Sequence, residues 1–227
     1  MSEENFDEIA AEYDESLPAH VVEHYLDKRV RFVADLASPG TGLDVGCGTG
    51  VLAARLSALG WDMDGIDPSQ GMLDVMARDA PLVKGQRAFG DDLPFEDGSF
   101  DLVLTVAALH HVAEPAAVRG TLIEMARVVR PGGRIVVWDH NPRNPYWKLL
   151  MARVPQDDGT ERLIPEAEVL GGLRAGGATV LSSDQLGFVP DFVPPRLLPA
   201  VAKVEGLVER TPLLRRLCAH NVVVATK

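Results

Sequence analysis

The sequence predicts a doubly wound α/β domain built on a mostly parallel sheet. From Thr41 onward, short apolar runs alternate with amphipathic stretches, which is typical of strands joined through crossover helices. The first of these runs enters a glycine-rich turn at 43–50, and a Pro-Gly-Gly run at 131–133 later separates a helix from a strand. Units of this kind form right-handed crossovers, so we expect helices on both faces of the sheet.

The predicted elements follow in order along the chain. Residues 1–37 carry apolar and aromatic positions at helical spacing and are predicted to form an N-terminal helical cap. Within a core at 41–140, strands are predicted at 42–46, 61–67, 86–89, 100–106 and 134–140. The helices between them are predicted at 49–59, 69–79 and 115–130. Later elements are a helix at 166–176 and strands at 180–189 and 220–227, with an insert at 190–217 before the last strand.

The composition is that of one globular domain spanning 1–227. The chain is 46% hydrophobic, so a domain of 227 residues can bury a sizeable core. It has 22 Lys and Arg against 33 Asp and Glu, a net charge of −11, which argues against a nucleic-acid partner.

Features of the sequence also bear on the compartment. Two cysteines, Cys47 and Cys218, cannot make a disulfide framework and suggest reducing surroundings. The acidic N-terminus lacks the basic and apolar regions of a secretion signal, and no apolar run is long enough to span a bilayer. We therefore expect a cytoplasmic protein.

The turn at 43–50 indicates a ligand site at the end of the first strand. Gly46, Gly48 and Gly50 permit a tight turn whose backbone can approach a ligand over the helix N-terminus. The dinucleotide fingerprint has a third glycine where this chain has Val51, which disfavours a nucleotide-dependent oxidoreductase. Asp44 stands just before the turn and suits a ligand that carries positive charge.

A second acid supports the same site. Asp67 ends the second predicted strand, seventeen residues after Gly50. A carboxylate at that strand end can accept hydrogen bonds from both hydroxyls of a ribose lying over the point where the strand order reverses.

Four blocks together carry a family resemblance. They are LDVGCGTG (43–50), GIDPSQGML (65–73), FGDDLPFEDGSFDLVLTVAALHHV (89–112) and ARVVRPGGRIVV (126–137). In this order they resemble class I S-adenosylmethionine-dependent methyltransferases, particularly the small bacterial enzymes of the type 11-like group. The resemblance covers about residues 5–140. It implies a Rossmann-like, seven-stranded sheet, S-adenosylmethionine as cofactor, S-adenosylhomocysteine as product, and no metal.

The resemblance also implies roles for individual residues. Gly46 and Gly48 would hold the methionine end of the cofactor, and Asp44 would support the loop and the ammonium group. Asp67 would bind the ribose hydroxyls, and Met72 would pack near the adenine. Further implied contacts are Tyr13, over the cofactor carboxylate, together with Leu93 and Val106.

One family position departs from its usual residue. The acid that accepts from the adenine amino group usually lies four residues before the leucine of LPF, where this chain has Phe89. Asp91 and Asp92 are the available acids, and the sequence leaves the choice between them open.

Candidate catalytic groups follow the fourth and fifth strands, at the edge where open α/β sheets bind ligands. Methyl transfer is an in-line displacement, so alignment and desolvation supply much of its rate, although a hydroxyl acceptor benefits from a general base. His110 and His111 belong to the family's recurrent L-H-H stretch and are expected to orient their loop, with His111 kept as a catalytic candidate. Asp139 and His140 are predicted to line the acceptor site.

The insert at 190–217 is predicted to cover or select the acceptor. Leu197, Val201, Val204 and Val208 form an apolar stripe at helical spacing. Five basic and two acidic residues between Val193 and Leu217 give a local charge of +3. We expect this stripe to pack as a lid or to pair in a homodimer. Contact with an anionic membrane is the alternative, since basic amphipathic helices can lie on such surfaces.

The sequence therefore predicts a methyltransferase, monomeric or homodimeric, acting on the oxygen or nitrogen of a small molecule such as a natural product, a sugar or a lipid-linked metabolite. Two alternatives remain open. One is a non-catalytic domain that binds S-adenosylmethionine as a sensor or partner subunit, and the other is a nucleotide-dependent oxidoreductase.

Overall fold

Seven strands form one sheet in the computed structural model, which describes residues 3–10, 13, 17–147 and 161–227. The strands are β1 (Thr41–Val45), β2 (Asp62–Asp67), β3 (Lys84–Arg87), β4 (Phe100–Val106), β5 (Val129–His140), β6 (Thr179–Leu186) and β7 (His220–Thr226). Their order across the sheet is β3-β2-β1-β4-β5-β7-β6. Neighbours from β3 to β5 are parallel, whereas β7 is antiparallel to both β5 and β6.

Helices cover both faces of this sheet. Those described are α1 (Glu3–Ile9), α2 (Ala19–Leu36), α3 (Val51–Ser57), α4 (Gln70–Asp79), α5 (Pro115–Val128), α6 (Glu166–Ala175) and α7 (Leu198–Arg210). None of them is both long enough and apolar enough to cross a bilayer.

Two large apolar clusters lie one on each face of the sheet, because side chains alternate along each strand, and a smaller third one joins Val21 of α2 to Val189 and Val193. Val103 of β4 packs in one cluster with Leu122 of α5 and Leu173 of α6. Its neighbour Leu104 packs in the other cluster with Leu26 of α2 and Leu56 of α3. This arrangement confirms the predicted doubly wound, mostly parallel α/β fold.

The order of the strands reverses at β1, since β2 extends the sheet on one side of it and β4 on the other. The connections after β1 and β4 therefore leave the sheet in opposite directions and open a crevice at its carboxyl edge. The predicted ligand loop at 43–50 lies at this crevice.

The predicted boundary between α5 and β5 is wrong. The helix predicted to reach residue 130 ends at Val128, and β5 begins at Val129 instead of 134. Val129 pairs with Phe100 of β4, and the register then shifts before Leu102 pairs with Arg134. The Pro-Gly-Gly run thus makes an irregularity within a strand, because pairing with β4 holds the residues before it in extended conformation.

Candidate active site

A cavity of about 720 Å³ lies at the carboxyl edge of the sheet, over the ends of β1, β2 and β4. Its volume is within the range of small-molecule sites. Seven residues singled out from the sequence line it: Tyr13, Gly46, Gly48, Asp67, Met72, Asp91 and His111. Six others lie outside its lining: Asp44, Asp92, Leu93, Val106, Asp139 and His140.

The glycine loop forms one wall through its backbone. Gly46 has a φ of +75°, and a Cβ there would approach the Cβ of Ala108 to 2.6 Å. The Gly46 and Cys47 amides both donate to the carbonyl oxygen of Ile66, at 2.8 and 3.0 Å. These bonds fasten the loop to the end of β2. Bare backbone is left facing the cavity at Gly48, where nothing lies within 4 Å of an added Cβ.

Asp67 holds the loop from the end of β2. Its Oδ2 accepts from the Gly48 amide and its Oδ1 from the Ser69 amide, each at 2.9 Å. Burial raises the pKa of this carboxyl above its usual value, although the two amide bonds oppose the shift. Each oxygen can accept more than one hydrogen bond, so the carboxylate can also receive hydroxyl donors from the cavity.

Asp44 lies one layer behind the loop. It is buried, and desolvation together with the nearby Asp67 carboxylate raises its pKa to about 7, against the opposing charge of Arg29. A cation bound beside the loop would favour the ionised carboxylate. This position suits the predicted supporting role better than direct contact with a ligand.

The N-terminal helix α1 is anchored beside the cavity by Asp7, an acid that sequence reasoning missed. The Asp7 Oδ1 accepts from the Ser69 hydroxyl at 2.5 Å and from the Gly71 amide at 2.8 Å. Ser69 caps α4 by accepting from the Met72 amide at 3.1 Å. The bond from Ser69 lowers the pKa of Asp7. This contact places Phe6 of α1 in the cavity wall.

The far end of the cavity is formed by the segment after β4. His111 meets the ring of Phe6 edge to face, with ring centroids 5.1 Å apart, and Glu114 lines the same region. Ala107 begins this segment at φ +53°, a left-handed conformation that is uncommon outside glycine. Its amide donates to the Trp138 carbonyl oxygen at 2.8 Å, which holds the turn against β5.

Asp139 lies behind this wall and orients His110. Its Oδ1 accepts from the His110 Nδ1 at 2.8 Å and from the His140 amide at 2.6 Å. Its Oδ2 accepts from the His110 amide at 3.2 Å. Burial alone would raise the pKa of Asp139, but the His110 ring and these bonds hold it below its usual value. The side chain that we expected in the acceptor site therefore supports the loop behind it.

His140 is also behind the wall, inside a stack of rings. It lies parallel to His110, with centroids 3.9 Å apart, and to Trp147, with centroids 3.5 Å apart. Burial lowers its pKa well below the usual value, so the ring is neutral. Its position outside the cavity lining differs from the predicted one because the ring is held by packing partners that are distant in sequence.

This cluster brings potential metal ligands together without suiting a metal ion. Ligand atoms of His110, Asp139 and His140 lie within 4.8 Å of one another. A metal binds in the plane of an imidazole at about 2 Å from its nitrogen. The two rings are stacked at an angle of 19°, so their planes do not meet at one such point.

Local geometry explains why the remaining candidates lie outside the cavity lining. Thr105 of β4 lines the cavity, so its neighbour Val106 faces the opposite side of the sheet. Val106 packs there in the cluster formed with α2 and α3. Leu93 is buried in the α5–α6 cluster, with its amide donating to Glu124. Of the two acids left open, Asp91 lines the cavity and Asp92 does not.

Sequence reasoning missed several lining residues in addition to Phe6 and Glu114. Phe89 lines the cavity although its ring is 56% exposed, at the position where the family carries its acid. Thr121 of α5 reaches the same wall beside Gly90. The helical period of α5 could have placed Thr121 on the sheet side of that helix, but no motif marks it.

Comparison with known proteins places this site in a family. A family model described as a methyltransferase domain matches residues 43–137. An uncharacterized methyltransferase of Mycobacterium tuberculosis is 36% identical over 118 residues, which cover 52% of this chain and 47% of that relative. The chain thus spans about half the length of that relative. A demethylmenaquinone methyltransferase of Renibacterium salmoninarum is 34% identical over 164 residues, 66% of this chain and 68% of the relative.

A solved structure agrees with the fold over nearly the whole chain. It is a methyltransferase of Thermotoga maritima, described as a possible histamine N-methyltransferase, with a TM-score of 0.71 and 21% identity. The match covers 99% of this chain and 98% of that one. The fold is accordingly of the Rossmann-like class with a seven-stranded sheet. By its similarity to relatives such as that of Renibacterium, the chain belongs to the class I S-adenosylmethionine-dependent methyltransferase family.

Proposed function

We propose that this protein transfers a methyl group from S-adenosylmethionine to a small-molecule acceptor. The observation that carries the proposal is the single continuous cavity at the carboxyl edge. Its lining combines the glycine loop, Asp67 and Met72, which follow β1 and β2, with His111 and Glu114, which follow β4. A cofactor and an acceptor can therefore meet in one space that is closed on one side by α1.

The residues at the cofactor end fit S-adenosylmethionine. Gly46 and Gly48 present backbone, Asp67 offers carboxylate oxygens to a ribose, and Asp44 lies behind the loop where an ammonium group would favour its ionised form. Asp91 is the acid in the wall that can accept from an adenine amino group. When bound, the cofactor supplies a methyl group activated by its sulfonium.

At the acceptor end, side chains of the protein orient the acceptor and remove its proton. His111 is an ionisable side chain in the wall, beside Glu114, that can take a proton from an acceptor hydroxyl or amine. Asp139 acts through His110, because its carboxylate fixes that ring and the backbone of the 107–114 segment. Phe6 and Tyr13 contribute rings that exclude water from the site.

Two observations suggest which acceptors to test first: the names of the relatives and the aromatic rings in the cavity wall. Several relatives are named demethylmenaquinone methyltransferase, including one from Clavibacter sepedonicus that is 39% identical over 138 residues. The rings of Phe6 and Tyr13 also suit a flat acceptor. We propose demethylmenaquinone as the first candidate, with small phenols and aromatic amines as the O- and N-acceptors.

The deciding experiment measures S-adenosylhomocysteine released on addition of each acceptor. Turnover that is lost in Asp67→Ala, together with a methylated product seen by mass spectrometry, supports the proposal. Cofactor binding without turnover on any acceptor in the panel would favour a sensor or partner subunit. Binding of nicotinamide or flavin cofactors, with no affinity for S-adenosylmethionine, would favour the oxidoreductase.

A further inference from the structure

The segment between β6 and β7 presents an exposed apolar surface. Of the thirteen large apolar side chains that are exposed among the described residues, seven lie within the 26 residues 192–217. We call this exposed side the insert surface. Its most exposed members are Phe192 at 70%, Leu207 at 66% and Leu213 at 72%. Isolated exposed apolar residues are ordinary, but a concentration of this kind marks an interaction site.

The acidic residues of this segment point inward. Glu205 of α7 is buried and accepts from His24 and Lys28 of α2, at 2.9 and 2.8 Å. Glu209 pairs with the same lysine, and Asp191 accepts from the Tyr146 hydroxyl. These contacts fix α7 against α2 and remove the segment's negative charge from its outer side.

The basic residues point outward. Arg215 is paired with Asp184, at 2.9 Å. Four further basic side chains are exposed and lack an ion-pair partner among the described residues: Arg196, Lys203, Arg210 and Arg216. The insert surface is therefore apolar and positive on a chain whose net charge is −11.

The two features coincide on α7. Lys203, Val204, Leu207 and Arg210 are exposed and recur at helical spacing, while Glu205 and Val208 are buried on the opposite side. The contacts with α2 thus occupy one side of α7 and leave the other side without a partner among the described residues. Long basic side chains beside leucines can keep their charges in water while their stems lie against apolar matter.

We propose that the insert surface binds the surface of an anionic lipid bilayer. An amphipathic helix with a basic rim and large apolar side chains lies in the interface of such a membrane. Pairing with a second copy of the chain is disfavoured. A two-fold contact uses the same surface on both copies, so it would bring two surfaces of equal positive charge together. The predicted lid is not supported, since no described residue of the insert lines the cavity.

The insert surface lies at the edge of the sheet that carries the cavity. The insert leaves the sheet at Leu186 and returns at His220, and these two residues pair beside His140 at the end of β5. It therefore lies at the same carboxyl edge as the cavity. Docking would hold that edge near the membrane, where an acceptor dissolved in lipid is concentrated. The proposal concerns the surface alone and stands apart from the proposed methyl transfer.

The test is co-sedimentation of the full chain with vesicles. We expect binding to phosphatidylcholine vesicles containing about 30% phosphatidylglycerol, little binding to phosphatidylcholine alone, and loss of binding at about 0.5 M salt. The double variant Lys203→Glu/Arg210→Glu should bind at least about tenfold more weakly, since each basic residue near such a surface adds about fivefold. Leu207→Ser/Leu213→Ser should also weaken binding.

Matched controls change exposed residues elsewhere. Arg119→Glu on α5 and Leu82→Ser before β3 should bind vesicles like the wild type. Unchanged affinity for S-adenosylhomocysteine shows that each variant is folded. Absence of binding to the anionic vesicles at low salt would overturn the proposal, as would equal binding by the charge-reversal variant. A stable dimer that Leu207→Ser dissociates would assign the surface to a second copy instead.

Discussion

At the scale of single residues, Asp67 carries two tasks with one carboxylate, because it accepts from the glycine loop and faces the cavity. We expect Asp67→Ala to weaken binding of S-adenosylhomocysteine at least tenfold, since charge-assisted hydrogen bonds contribute about 1.5–3 kcal/mol. Calorimetry gives the affinity. Asp64→Asn, on the same strand but outside the cavity lining, is the matched control and should bind normally. Unchanged affinity in Asp67→Ala would remove the residue from the cofactor site.

Asp44 makes cofactor affinity depend on pH. Its pKa in the free protein is raised to about 7, so the carboxyl is protonated below that pH, and the ammonium group of the ligand favours the ionised form. We expect affinity for S-adenosylhomocysteine to rise roughly tenfold between about pH 5.5 and 7, and Asp44→Asn to abolish this rise. Titration calorimetry at several pH values provides the measurement.

The same group has the opposite effect on the stability of the free protein. The folded pKa exceeds the unfolded value of 3.8, so the folded state binds more protons between about pH 4 and 7. The contribution of Asp44 to the free energy of unfolding is therefore present at low pH and is lost as the pH rises through 7. Denaturant unfolding of wild type and Asp44→Asn over this range should diverge accordingly, and parallel curves would contradict the assigned pKa.

At the scale of elements, α7 is held on α2 by the buried Glu205. Desolvation opposes its ionisation, but His24 and Lys28 lower its pKa to about 2. Removing one partner of a buried pair costs on the order of 3 kcal/mol, and we expect Glu205→Gln to lower the free energy of unfolding by about that amount. Urea denaturation measures it.

The control for this prediction lies on α2, the helix that carries the partners of Glu205. Glu23 pairs with Arg55 in solvent, and Glu23→Gln should cost under about 1 kcal/mol. Because the pKa of Glu205 is depressed, its stabilisation is present above the unfolded value of 4.5 and should be lost as the pH falls towards 2. If both variants lost the same free energy of unfolding, burial would not strengthen the contribution of the Glu205 ion pairs to stability.

The segment after β4 depends on β5 through Asp139. Replacing its carboxylate by an amide in Asp139→Asn leaves the size unchanged but removes the negative charge and one of the two acceptor oxygens that fix His110. We expect turnover to fall more than tenfold while cofactor affinity changes less than about threefold, because the residue positions the acceptor end only. Steady-state kinetics over a range of pH should also show an altered profile.

Asp184→Asn is a suitable control for that variant, since Asp184 belongs to a half-exposed pair on β6. It should leave turnover and its pH profile unchanged. Should Asp139→Asn lose cofactor affinity and turnover in equal measure, the residue would support the whole cavity and not its acceptor end.

At the scale of the molecule, one cavity is bounded by β1, β2, β4 and α1 together, so a ligand there stabilises the whole fold. We expect S-adenosylhomocysteine at about one hundred times its Kd to stabilise the protein by about 2.7 kcal/mol. For a chain of this size that corresponds to a Tm increase of roughly 5–10 °C. At the same ligand concentration, scanning calorimetry should show the full shift in wild type and about half of it or less in Asp67→Ala, whose affinity is at least tenfold weaker. A similar shift with NADH would point to the oxidoreductase instead.

The sequence by itself determined the doubly wound fold and the part of the cavity lined by the glycine loop and Asp67. Strand–helix alternation depends on local periodicity, and the glycine loop and Asp67 are adjacent to the strand ends that carry them. Any doubly wound sheet brings the carboxyl ends of neighbouring parallel strands together, so these groups meet whatever the distant packing. For this reason Gly46, Gly48 and Asp67 line the cavity as a motif reading would place them.

Only the tertiary structure decided which residues near the ends of β4 and β5 line the cavity and how the insert is oriented. His140 is drawn into a stack with Trp147 and beside His220, a residue eighty positions away, so its side chain is not free to follow the strand-end rule. Asp91 lines the cavity and Asp92 does not, because their loop points the two side chains in different directions. The side of α7 that faces solvent is chosen by ion pairs to α2, more than 170 residues earlier. Contacts of such separation leave no local pattern in the chain.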